Sequence, residues 1–263
     1  MKRNHSYIFS QRETKKVALI SFRIAIYKYV KQLQIVTLIF LAVLKFYYQK
    51  FSLYSRPVWI TLLEKQLSFE PIDLLLDGDQ WQPEFLAINP FGRVPVLVDG
   101  NFKVFESLAI LDYLELQYPN PSLLPTDVES TTIVQMTKLL TMHELIPAML
   151  TIIRVADGET ILQQAEQQII AMLSFSEKHL TGNLYIASDR ITSADIVAGS
   201  LVAYLPYINI ALSDYPKVKT WLERLTQRHS WRMTQVNPEH IPNWLKRIQK
   251  LSKVRQRQWK QRK

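Results

Sequence analysis

The 263-residue sequence predicts an α/β domain followed by an all-α domain. Three observations lead there. Strand and helix signals alternate between residues 44 and 117. Residues 118–125 then hold Pro119, Pro121 and Pro125, which no helix crosses. Beyond them only helical periodicity remains.

In chain order, the aromatic-rich run Leu44-Lys45-Phe46-Tyr47-Tyr48 predicts a strand. Residues 52–57 are turn material, with Ser55 placed as a helix N-cap and Pro57 in the first turn. Val58, Leu62, Leu63 and Leu67 follow helical spacing. A second strand is predicted over 69–75, then a loop with a short helix over 78–89, closed by Asn89-Pro90-Phe91-Gly92. Two more strands, 94–98 and 102–104, flank the hairpin signal Asp99-Gly100-Asn101. Leu108, Leu111 and Leu114 set a helix over 106–117, so the order is β-α-β-α-β-β-α. After the prolines, helices are predicted over 127–155, 159–180, 192–207, 215–227 and 238–253. Thr192-Ser193-Ala194-Asp195 has the form of a capping box, with Ile191 and Ile196 placed for a hydrophobic staple. The chain thus divides into an extension (1–42), an α/β domain (43–118), a linker (119–126), a helical domain (127–245) and a basic tail (246–263).

With 48% hydrophobic residues the chain has material for a real core, and no cysteine is present. Disulfides, thiolate metal sites and a cysteine nucleophile are excluded. The net charge of +9 is unevenly placed. Residues 1–42 carry eight Lys/Arg and one Glu, and residues 243–263 carry nine Lys/Arg and no acid. The body between holds 15 basic against 22 acidic residues, the reverse of a nucleic-acid-binding core. The apolar run 35–44 is half the length of a membrane span. The basic ends leave membrane or nucleic-acid contact as a rival reading. The tail is expected to be solvated and removable beyond Leu251 without loss of activity.

No glycine-rich phosphate loop, H-E-x-x-H or G-x-S-x-G occurs. The five histidines, His5, His143, His179, His229 and His240, share no metal-ligand spacing. Glu64, Glu115 and Glu223 read as solvated helix faces. Three spots in the first half carry chemistry. Ser52 lies between strand and helix, where a hydroxyl and helix N–H groups favour an anion. Val94-Pro95 is a candidate cis bond that turns the Val94 backbone toward a ligand. Glu106-Ser107 opens a helix, with a carboxylate for an ammonium and a hydroxyl for hydrogen bonding.

The set Ser52…Asn89-Pro90-Phe91-Gly92-Arg93-Val94-Pro95…Glu106-Ser107-Leu108-Ala109-Ile110 resembles the glutathione transferase superfamily. Thr192–Asp195 resembles the capping box of that family's buried sixth helix. The resemblance covers residues 44–244 and implies a thioredoxin-like domain followed by a helical bundle. It implies glutathione as co-substrate, no metal, a homodimer, a cytoplasmic location and detoxification of a small hydrophobic electrophile. In the serine-type, theta- or zeta-like classes the activating hydroxyl falls at Ser52, with Ser55 as alternative; Tyr47 and Tyr48 lie within the strand. By similarity Val94 pairs with the cysteinyl unit, Glu106 and Ser107 hold the γ-glutamyl end, and Gln80 and Arg93 face the glycyl end. Met142, Leu145, Ile146 and Met149 are candidates for the second-substrate pocket, with core packing as their other reading. The family also contains non-catalytic regulatory modules and glutathione-dependent isomerases and dehalogenases, which stand as alternatives. Its members open near this first strand, so a start near Val43 is expected, with residues 1–42 an upstream reading or a poorly ordered appendage.

Overall fold

The computed structural model describes residues 27–28, 44–154 and 159–249. Expectations for the apolar run before Leu44, the basic N-terminal extension, the start near Val43 and the tail past residue 249 lie outside these residues.

The first half is a four-stranded sheet with helices. Its elements are β1 (Leu44–Tyr48), α1 (Ser55–Glu64), β2 (Phe69–Asp73), a 3-10 turn (Asp79–Trp81), α2 (Pro83–Leu86), β3 (Val96–Asp99), β4 (Phe102–Phe105) and α3 (Ser107–Gln117). Strands lie in the order β2-β1-β3-β4, with β1 parallel to β2 and antiparallel to β3. Leu44, Phe46 and Tyr48 are buried while Lys45 is exposed, the two-residue alternation of a strand with one covered face. The β3–β4 hairpin pairs Asp99 with Phe102 around Gly100 at φ +58°.

The second half is helical: α4 (Val128–Leu140), a π turn (Thr141–Leu145), α5 (Ile146–Arg154), α6 (Glu159–His179), α7 (Ser193–Val202), a 3-10 turn (Leu205–Ile208), α8 (Pro216–Thr226), α9 (His229–Thr234) and a 3-10 turn (Pro238–His240) leading into helical residues 241–249. The thioredoxin-like half and the helical half are those the sequence predicts. Within them, the helix expected over 192–207 ends at Val202, and Pro206, which has no N–H to donate, sits in a separate turn. Val128–Arg154 forms one 27-residue helical stretch interrupted only by the π turn. The short helix α9 is not anticipated. Ser55 is not the N-cap of α1. Tyr54 holds that place, and the Ser52 hydroxyl instead accepts the Ser55 N–H at 3.2 Å.

Two cores form, and α1 serves both. Val58 and Leu62 pack toward the sheet with Phe46, Leu97, Ile110 and Leu114, while Leu53 and Ile60 face the helical half. Two acids expected to be solvated turn out to be tied down, Glu64 to the helical half and Glu115 within the α/β half and to the linker. Glu64 receives a bidentate pair from Arg228, Nε at 2.9 Å and Nη2 at 2.6 Å, and a hydrogen bond from Ser230. Glu115 pairs at 2.7 Å with Lys65, whose ammonium is fully buried. Glu64 is covered by the segment carrying Arg228 and Ser230, and Glu115 by Lys65 and the linker residues Ser122 and Leu123.

The capping box places Asp195 fully inside the helical core. Its carboxylate accepts from the Ile186 N–H (2.8 Å), the Trp221 indole (2.8 Å) and both the N–H and hydroxyl of Thr192 (2.7 Å each). Burial nevertheless pushes its carboxyl up to about 6. An unfolded Asp titrates near ~3.9, so the native state holds this proton more tightly between roughly pH 4 and 6. That contribution to stability is full below about pH 4 and is lost as pH rises through about 6, at about 1.4 kcal/mol per pH unit. Asp195→Asn cannot titrate. The wild-type advantage over this variant should therefore narrow as pH is raised from 4 to 6 in thermal unfolding; a constant difference would show that the carboxyl titrates elsewhere.

Candidate active site

Strand register brings the three sequence-selected spots to one edge of the sheet. β3 starts at Val96, which pairs with Tyr47 near the end of β1 and with Phe105 at the end of β4. The turn carrying Ser52, the Val94-Pro95 segment and the Glu106-Ser107 step therefore leave the sheet side by side. The parallel β1–β2 pairing sends the loop with Gln80 from the same edge.

Ser52 is half-buried. Its N–H donates to Gln49 O at 2.9 Å and its carbonyl accepts from Ser55 and Arg56 at 3.2 Å each. The hydroxyl oxygen accepts the Ser55 N–H, and among the described residues no acceptor takes its proton. An O–H whose oxygen already accepts a bond is a directed donor for an external anion. Ser55, by contrast, is buried with its hydroxyl unpaired inside α1 packing. The Tyr48 phenol is held above its ordinary range by burial and then by Asp73, which disfavours a phenolate there.

The Val94-Pro95 bond is cis. Asn89 braces this turn, a role not expected from the sequence although the Asn-Pro-Phe-Gly run is its signal. Its side chain donates to Arg93 O at 2.8 Å and accepts the Phe91 N–H at 3.0 Å, and its carbonyl accepts the Gly92 N–H at 3.0 Å. Gly92 has φ +58° and lies against Trp81; a Cβ there would stand 2.6 Å from the indole ring. Gly92→Ala combines left-handed backbone strain with this clash and should displace Trp81 and the Gln80 loop. The expected loss is about 1–3 kcal/mol in denaturant unfolding together with weakened binding of any ligand at this edge. Unchanged stability and binding would mean the loop adapts freely.

Gln80 is half-buried and turned inward, accepting from Gly78 N–H and donating to Leu76 O. Arg93 is exposed. Glu106 is exposed at φ 70°, ψ 118°, a backbone conformation costly for a non-glycine residue, directly before α3. Ser107 is buried, and its hydroxyl faces the Met142 sulfur at 3.9 Å. Of the four second-substrate candidates only Met142 is partly exposed. Leu145, Ile146 and Met149 are completely buried in the helical core, so the core reading of these three prevails and they offer no surface to a substrate. Their apolar side chains point inward because α5 and the π turn pack against α6.

Models of two families match the chain: glutathione S-transferase N-terminal domain over residues 46–122 and glutathione S-transferase C-terminal domain over residues 136–229. Glutathione S-transferase F10 of Arabidopsis thaliana is 32% identical over 214 residues, covering 72% of this chain and 95% of the relative. The structure of glutathione transferase F7 from Populus trichocarpa aligns with TM-score 0.65 at 26% identity, over 73% of this chain and 97% of its own. Maleylacetoacetate isomerase from Methylobacterium extorquens, solved with malonate and glutathione bound, aligns with TM-score 0.62 at 28% identity, over 72% and 95% of the two chains.

Proposed function

The chain belongs to the glutathione S-transferase family, and on that footing we propose that it activates the thiol of glutathione at Ser52 for attack on a small hydrophobic electrophile. One observation carries this reading: the free hydroxyl proton of Ser52 shares a sheet edge with Val94-Pro95 and Glu106-Ser107. A free thiol titrates near ~8.5, so little of it is thiolate at neutral pH. Hydrogen bonding from the Ser52 hydroxyl, at the positive end of the α1 dipole, favours the anion. Val94 supplies backbone pairing to the cysteinyl unit, and the Glu106 carboxylate with Ser107 receives the γ-glutamyl end; Arg93 serves the glycyl carboxylate. The thiolate sulfur forms the new bond to carbon as the leaving group departs with its electron pair. Binding of peptide and electrophile in one cleft makes the step effectively intramolecular.

A second reading, isomerisation of a cis-olefin by reversible thiolate addition, is favoured by the likeness to maleylacetoacetate isomerase. It uses the same groups and would place the chain in a zeta-like class. We further propose a homodimer, since Val128, Met136 and Leu139 form an exposed apolar stripe along α4, and, from the family resemblance alone, a cytoplasmic location. The test is a panel with glutathione and an aryl halide, an isothiocyanate and a maleyl-type cis-olefin, alongside retention on immobilised glutathione. Turnover of one of these substrates is expected, and the substrate class separates the two readings. Neither turnover nor retention would leave a non-catalytic scaffold.

A further inference from the structure

Arg56 is a buried cation without a carboxylate. It is 6% exposed, and no acid pairs with it among the described residues. Its Nη1 donates to Ser200 O at 2.6 Å, its guanidinium lies 4.9 Å over the Tyr204 ring, and its Nε has no partner. A guanidinium stays protonated in proteins, so a full positive charge sits inside the boundary between the halves. A carbonyl and an aromatic face offset only part of the cost of burying it. Arg56 is also the residue whose N–H donates to Ser52 O, four positions along the chain from the proposed thiol-binding hydroxyl.

We propose that Arg56 is a positioning residue for the reaction: its uncompensated charge, in the first turn of α1, adds a fixed positive field that favours the thiolate held at Ser52. This rests on the proposed function above. An opposite charge in a poorly screened setting lowers a thiol's pKa, and here the anion arrives with the ligand. The bland alternative is that Arg56 only caps the last turn of α7 through Ser200. The charge and the cap are separable. Tyr204 lies against the guanidinium, while Tyr48 ends β1, Asp73 ends β2 and Glu106 precedes α3, and the test alters none of these.

The experiment compares wild type, Arg56→Gln and Arg56→Lys. Glutamine can keep the hydrogen bond to Ser200 and removes the charge, whereas lysine keeps the charge. The readouts are thiolate absorbance of bound glutathione against pH and the pH profile of kcat/KM with an aryl halide. Arg56→Gln should raise the bound thiol's pKa by about one unit, a roughly tenfold loss of thiolate below it, with glutathione KM little changed. Arg56→Lys should stay within a few tenths of wild type. Equal pKa values in wild type and Arg56→Gln overturn the inference. Should Arg56→Gln not fold, a one-unit rise in Arg56→Lys overturns it and a wild-type value supports it. A wild-type protein that binds no thiolate at all would instead sink the proposed function.

Discussion

Ser52→Ala should lower turnover with a reactive aryl halide by about 10²-fold, the scale seen when one donor to a developing or stabilised anion is removed. Glutathione KM should change little, because the lost bond is made to the thiolate and not to the peptide's ends. The pH profile should move to higher pH as the thiol regains its ordinary titration range. The same hydroxyl accepts the Ser55 N–H, so the variant also loses a local hydrogen bond, although the Ser52 carbonyl still accepts that N–H at 3.2 Å. Stability and turnover must therefore be read separately. Ser55→Ala is the control: its hydroxyl is buried and unpaired, so removing it should leave activity intact and cost little stability. Loss of activity in Ser55→Ala with retention in Ser52→Ala would move the activating hydroxyl to Ser55 and overturn the assignment.

Much of the fold is legible because its signals are local. Alternation in Leu44–Tyr48, the Gly100 turn and the proline-rich linker each dictate a structure from a few adjacent residues. The site's backbone is legible for the same reason, since Ser52, Val94-Pro95 and Glu106 mark the ends of such elements. What is not legible depends on distant partners. Glu64 and Arg228 are 164 positions apart, and no helical pattern around Glu64 announces the segment that covers it. Apolar residues at helical spacing, such as Leu145, Ile146 and Met149, look alike whether they face a core or a pocket, and only the packing of α6 against α5 decides. Helix α9 is six residues with no side-chain cap, too short to produce a periodic signal. Arg56 reads as an ordinary helix charge until the second half of the chain closes over it.

Lys65→Met should be the most destabilising single change at the junction of the halves, by about 3–5 kcal/mol. The Lys65 ammonium follows α1 and is fully shielded from water. All three of its donors are used: Glu115 at 2.7 Å, Tyr118 O at 2.8 Å and Pro121 O at 2.8 Å. It thus ties the end of α3 and the proline-rich linker to α1 in one place. Glu115 in turn accepts the Leu123 N–H at 3.1 Å and the Ser122 hydroxyl at 2.6 Å. Methionine fills much the same volume, so the loss is electrostatic rather than a cavity. It leaves a mostly buried carboxylate without its cation and two linker carbonyls without donors. Adding Glu115→Leu should recover part of the loss by removing the uncompensated charge, but not all, because Leu123 N–H and the two carbonyls stay unpaired. Urea unfolding of the wild type, both single variants and the double variant measures this cycle. A cost below about 1 kcal/mol for Lys65→Met would place the pair among weak surface bridges and show that the linker is held by its apolar contacts, Leu123 foremost, instead.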